Sequence, residues 1–256
     1  MLQNINPGTI VDIEKGEDDS LLFLFMALNE SLRGWAKCKP IIVVDETFLK
    51  PAYGGTLLSA SAHDAGATMY TEKKFEYHIK DLDSLDKRIR PYLQKNGYHK
   101  CSRFYSKNKR YSVMTSNIAE SLNSATVAAR EVPITTLLEC LRGLLQDWTY
   151  TNRKLAQKTM TRLTPVAEQA LTNNFVYSLR LTVKPANEYL FEVLKEDESW
   201  IVNLKERICT CNRFQKDEMP CAHALDVMKE MNIDPYDYCS HYYTTKVWLE
   251  TYDAIV

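Results

Sequence analysis

The stretch CTCNRFQKDEMPCAH gathers Cys209, Cys211, Cys221 and His223 into fifteen residues of a 256-residue chain that has seven cysteines and five histidines. Thiolate and imidazole are ligands for borderline and soft metals. A Cys₃His set completes a tetrahedral zinc site with no position open to substrate. The spacing suits convergence. Cys209 and Cys211 end a strand-like pattern, where residues two apart point to the same face. Cys221 and His223 are also two apart, but residues i and i+2 diverge within a helix. Cys221 is therefore expected in the turn before a helix and His223 in its first turn, where the helix N-terminus favours a nearby thiolate. A disulfide would suit a secreted chain. A Cys–His nucleophile pair would need a cleft and would leave two cysteines without a role. The expectation is one structural zinc ion. Cys239 and His241, in YDYCSHYY, repeat the C-x-H spacing and read as packing or surface residues.

A second chemistry lies in KRIRPYLQKNGYHKCSRFYSKNKRYS, Lys87 to Ser112, which has nine Lys or Arg and no Asp or Glu. The net charge is −1, so the remaining sequence sums to −10 (−1 minus 9). Tyr92, Tyr98, Phe104, Tyr105 and Tyr111 interleave with the basic residues. Cations neutralise phosphates and rings can stack on bases, so Arg103, Lys107, Lys109 and Arg110 are candidate nucleic-acid contacts. The plainer reading, a solvated helix face followed by a basic loop, stays open beside it. The zinc segment itself is balanced, with five basic and five acidic residues from Asn203 to Met231.

The elements that must position these groups read as an α+β chain. IIVVDETFL (41–49) suits a buried strand, and Pro51 with Gly54-Gly55 turns it toward a return strand, TLLSASA (56–62). LLFLFMAL (21–28) fits a strand or a buried helix. Residues 72–95 read as one helix, with Phe75, Ile79, Leu82, Leu85, Ile89 and Leu93 on one face and Gly97 as its stop. A helix is expected from about Asn117 to Arg130. Another follows Pro133, with an apolar stripe of Ile134, Leu137, Leu138, Leu141, Leu144, Leu145 and Trp148 that includes Cys140 as a small buried hydrophobe. EYLFEVL and WIVNL around KEDES read as a hairpin. After Pro220, Ala224, Leu225, Met228 and Met231 give a short helix with one apolar side. The domains are drawn as 1–70, a partial sheet; 71–180, helical; and 187–256, a small ββα-type zinc module with a tail.

The chain is 45% hydrophobic and 25% charged, and no apolar run is long enough to span a bilayer, so no membrane partner is expected. The first residues lack a basic start followed by an apolar stretch. The expectation is a chain that is not secreted, in a reducing compartment where cysteines bind metal more often than they form disulfides.

The order C-x-C-x₉-C-x-H, with a hairpin before it and a helix after it, resembles the SWIM zinc finger. Together with VDETFLK, SNIAESLN and HYYTTKVWLETYDAIV, it makes nearly the whole chain resemble the plant Mutator-like element transposases and proteins derived from them. The lead-in from Asn6-Pro7-Gly8 to Cys38-Lys39-Pro40 fits the same family. The resemblance implies an RNase H-like fold and an Asp-Asp-Glu triad. In that family the triad holds two Mg²⁺ or Mn²⁺ ions for attack on a DNA phosphodiester. It also implies a nuclear setting, with DNA and nuclear proteins as partners; the oligomeric state is not legible.

Carried over by motif, the first Asp is Asp45 and the Glu is Glu120. The intervening Asp has no match. After Tyr70 the chain passes straight into TEKKFEYHIKDL, and a large block with the rest of the sheet is absent. Asp64 and Asp81 end no buried strand pattern. Each carried-over acid also has a plainer role: Glu120 as a capping-box partner of Asn117, and Asp45 as the polar end of a strand. The functional expectation is a zinc-binding, transposase-derived protein that is catalytically inactive. It would contact DNA or protein through the basic stretch and the zinc module. The alternatives are an active two-metal transposase or nuclease, and a regulatory protein-interaction module that zinc folds.

Overall fold

The computed structural model describes residues 7–35, 37–38, 43–49, 56–61, 70–98, 104–105 and 124–253. In chain order the elements are β1 (Ile10–Lys15), β2 (Leu21–Ala27), α1 (Asn29–Trp35), β3 (Val43–Phe48), β4 (Thr56–Ser61), α2 (Glu72–Leu85) and α3 (Ile89–Asn96). Then follow α4 (Ile134–Lys158), α5 (Pro165–Ser178), β5 (Thr182–Pro185), β6 (Leu190–Lys195), β7 (Glu198–Asn203), β8 (Ile208–Cys209), α6 (Arg213–Asp217), α7 (Ala222–Glu230) and α8 (Thr245–Thr251). The architecture is mixed α+β. Among the described residues the strands form three antiparallel sheets, β1-β2, β3-β4 and β5-β6-β7-β8. No described helix is long and apolar enough to cross a membrane.

The chain folds as two compact units, each assembled from separated stretches. One comprises residues 1–63, 115–164 and 244–256, and the other residues 64–114 and 165–243.

In the first unit, LLFLFMA forms strand β2, paired with β1 through Ile10↔Ala27 to Lys15↔Leu21. The strand reading of this segment holds and the helix reading does not. Its side chains are largely exposed, Leu22 at 67%. The β3–β4 hairpin forms as its pattern predicts, with Asp45 opposite Ser59. Pro133 immediately precedes α4, where its fixed φ and missing N–H suit the start of a helix. The expected stripe of α4 is only partly covered. Leu137 and Ala156 are its buried residues, Trp148 is exposed, and Cys140 is exposed, which corrects its reading as a buried hydrophobe. Of the helix expected to end at Arg130, the described part is helical at residues 124–125 and then passes through a turn into a 3₁₀ turn at Ala128–Glu131. An isolated bridge between Leu163 and Thr244 and a bond from the Thr245 N–H to the Arg162 carbonyl (3.0 Å) bring α8 back to the end of α4. Lys37 pairs with Glu250 at 2.9 Å.

In the second unit, the single helix expected over 72–95 is two. Pro91 has no N–H to give the preceding turn, so an unbroken helix through it would lose a bond and clash. The chain restarts at Ile89, which places Pro91 in the first turn of α3. At the break the Asp86 carboxylate accepts the Arg88 backbone N–H at 2.8 Å. Gly97, at φ 89°, ends α3 as expected.

The rest of this unit is a layered core. On the four-stranded sheet, Phe191, Val193 and Val202 point inward, all at most 2% exposed. Helix α7 lies across them, and α5 covers α7 from the other side with Ala167, Leu171 and Ser178. Residues Ala222 to Met228 of α7 are therefore buried on every side, where a helix with one apolar face was expected. Asn232, left-handed at φ 53°, ends it.

Candidate metal centre

The site is built on the edge of that sheet. Val202 pairs with Cys209, so the Cys209 side chain shares the inward face with Val202 and with Trp200 two residues before it. Strand β8 is only Ile208–Cys209, and the chain then turns instead of staying extended. The Asn212 N–H donates to the Cys209 carbonyl at 2.8 Å, and the Cys211 N–H points at the Cys209 Sγ at 3.5 Å. Cys211 thus faces the centre from a turn, not from the strand that the spacing suggested. Thr210 ties this turn to β7: its N–H donates to the Ile201 carbonyl, and its hydroxyl accepts the Ile201 N–H, both at 3.0 Å.

Helix α6, which the sequence reading missed, supplies a second brace. Gln215 accepts the Cys209 N–H at 3.1 Å, and its amide donates to the Cys209 carbonyl and to Asn212 Oδ1, both at 2.9 Å. The side chain stands in for a neighbouring strand where β8 has none. Its signal in the sequence was only a glutamine between the ligand pairs. At the other pair the expectation holds. Cys221 is the N-cap of α7 with an extended backbone, and His223 lies in the first turn.

Cys209, Cys211, Cys221 and His223 are all buried, and their ligand atoms lie within 4.8 Å of one another. His223 Nδ1 is 3.5 Å from the Cys209 Sγ and 3.8 Å from the Cys221 Sγ. The imidazole stacks on Trp200 with centroids 4.0 Å apart and planes 18° apart. Neither that stack nor the Gln215 brace was foreseen.

The sulfurs share protons. Hydrogen bonds from Cys209 and Cys221 hold Cys211 far below the usual thiol range. The same contact with Cys211 pushes Cys209 up to about 12. Burial pushes Cys221 up, reinforced by the two neighbouring sulfurs. That donor set, buried and convergent, fits one metal ion.

The other candidate residues fall elsewhere. Cys239 is half-buried, with its sulfur 3.5 Å from the Pro235 carbonyl, and His241 packs against Tyr242 at 4.0 Å; neither joins the centre. Asp45 lies on β3, and its side chain is outside the described residues, as are Glu120, Arg103, Lys107, Lys109 and Arg110. The start of the basic stretch is charge-paired. Arg88 meets Asp86 at 2.7 Å, and Arg90 meets Asp83 at 2.6 Å and Glu76 at 3.3 Å. Tyr98 and Tyr105 pack edge-on against the buried Phe75, at 4.8 and 5.0 Å between ring centroids. These two rings serve a local core, while Tyr92 is 66% exposed.

Fold and site together define a mixed α+β chain with a buried Cys₃His group able to hold one metal ion. A scan against family models found no match, and neither did searches of curated proteins and solved structures.

Proposed function

We propose that this chain binds one zinc ion through Cys209, Cys211, Cys221 and His223, and that the ion is structural. The observation that carries this is the mutual spacing of the four buried ligand atoms. A tetrahedron with Zn–S of about 2.3 Å and Zn–N of about 2.0 Å has S···N edges of about 3.5 Å. The Cys209 and Cys221 sulfurs lie 3.5 and 3.8 Å from His223 Nδ1. Four protein ligands leave no open position, so the ion supplies folding energy and no catalysis. Native mass spectrometry should find one zinc per chain. Cys221→Ser should lose it and unfold the sheet and α7. A folded unit that takes up no zinc would refute the assignment.

The wider reading is a transposase-derived protein. It rests on the motifs around Asp45 and Glu120 and on the zinc loop, with the β3–β4 hairpin as a remnant of an RNase H-like sheet. Two carboxylates where such chemistry uses three leave a two-metal site unclamped. The expected result is no DNA nicking with magnesium or manganese. Nicking abolished by Asp45→Asn would instead establish an active enzyme. Contact with DNA is assigned to Arg103, Lys107, Lys109 and Arg110, because the charge of the chain is so unevenly distributed.

A further inference from the structure

We propose that the loop between the two ligand pairs is a docking surface for the segment beginning at Tyr70, and that the metal sets its shape. Ion binding then fixes where helix α2 starts. This rests on the zinc reading above.

Three residues of one short loop converge on Tyr70. Its hydroxyl donates to both carboxylate oxygens of Asp217, each at 2.8 Å. The Asn212 amide donates to the Tyr70 carbonyl at 3.0 Å. The Arg213 guanidinium lies 5.4 Å from the centroid of its ring. Asn212 directly follows the ligand Cys211, and Cys221 comes soon after Asp217, so the loop hangs between ligands. Asn212 and Glu218, on either side of α6, are left-handed at φ 63° and 53°, a conformation side chains adopt at a cost.

Gln215 braces one side of that loop, and the Tyr243 hydroxyl and the Ser240 N–H donate to the Asp217 and Glu218 carbonyls at 2.6 and 2.8 Å; the closed centre adds an anchor at each end. Without an ion, the three sulfurs and the imidazole lie within 4.8 Å of one another with no bond to a common atom. With an ion, all four are bonded to one atom, and the loop between them has fixed ends.

The consequence reaches α2. Tyr70 stands two residues before it, and the helix opens with the Phe75 N–H bonded to the Thr71 carbonyl at 3.0 Å. The same segment carries Phe75 and Ile79 into the local core and leads into the basic stretch that contains α3. Metal occupancy therefore governs how that arm is held.

The test is amide hydrogen exchange on the full chain, zinc-loaded and after chelation, with zinc counted separately by native mass spectrometry. Chelation should speed exchange at Phe75 and Glu76. Tyr70→Phe should speed the same amides while one zinc stays bound, by about tenfold, the factor carried by a hydrogen bond to a charged acceptor. Protection of α2 unchanged by chelation overturns the proposal. So does exchange that rises on chelation but not in Tyr70→Phe, because the effect then bypasses the tyrosine. A chain that never takes up zinc sinks the zinc reading as well, whereas a zinc-loaded chain with an indifferent α2 sinks only the docking.

Discussion

At the scale of single residues, the centre's own proton distribution makes its affinity depend on pH. Contacts with Cys209 and Cys221 hold Cys211 well below the usual thiol range, while Cys209, pushed up to about 12, and Cys221, raised by burial, hold their protons more tightly. Zinc must displace both protons, so its affinity should rise with pH. Two protons released correspond to about 100-fold per pH unit through the neutral range. Competition titrations against a zinc indicator at several pH values measure that slope, and a pH-independent affinity contradicts it. Trp200 offers a second readout. The chain has four tryptophans, and this one lies against a ligand ring, so zinc should change its fluorescence. Trp200→Phe should abolish most of that change. The four ligands were legible because type and spacing alone constrain them. Trp200 was not, because it lies nine positions before Cys209 and only strand pairing brings the two to one face.

At the scale of elements, the turn around the centre is stabilised by side chains acting as backbone. Gln215 makes two bonds to Cys209 that a strand would otherwise make. Gln215→Ala should lower the stability of the zinc-loaded chain by about 1–3 kcal/mol, the cost of leaving buried backbone groups unpaired. Chemical denaturation followed by circular dichroism reports the shift. The hairpin between β6 and β7 has a removable strain. Glu196, exposed in its turn, is left-handed at φ 51°. Glycine avoids a cost of about 1–2 kcal/mol there but adds about 0.5–1 kcal/mol of chain entropy. Glu196→Gly should therefore stabilise slightly, visible as a higher midpoint in the same melts.

Periodicity found the β3–β4 and β6–β7 hairpins, α4 and α7, while β1, α1, α5, β5 and α8 were not read from it. It failed where one residue outvoted a pattern. Pro91 split an otherwise regular helical stripe, and α6 is too short to show a period. The all-round burial of α7 was hidden for another reason. Asp226, only 1% exposed, reads as a solvent-facing residue until α5 is known to cover it. One of its oxygens meets Lys229 at 2.7 Å.

At the scale of the whole molecule, the uneven charge makes the clearest prediction. The residues outside Lys87–Ser112 carry −10, so that stretch is where the chain's net positive charge is concentrated. Changing Arg103, Lys107, Lys109 and Arg110 to glutamine should reduce the slope of log affinity for DNA against log salt by about 3 to 4. Binding unchanged by the substitutions rejects those contacts. The pairing of Arg88 and Arg90 with acids is why the test falls on the later residues.

The least legible property was the composition of the units, since a reading along the chain divides it at points, whereas each unit is stitched from distant segments. That stitching has a consequence in time. A ribosome makes β1 and β2 early, yet their unit draws on Thr244 onward, held by the Leu163–Thr244 bridge and the Lys37–Glu250 pair. A nascent chain that has reached Tyr243 already contains every residue of the metal-holding unit. Strands β1 and β2 must wait for a helix translated after it.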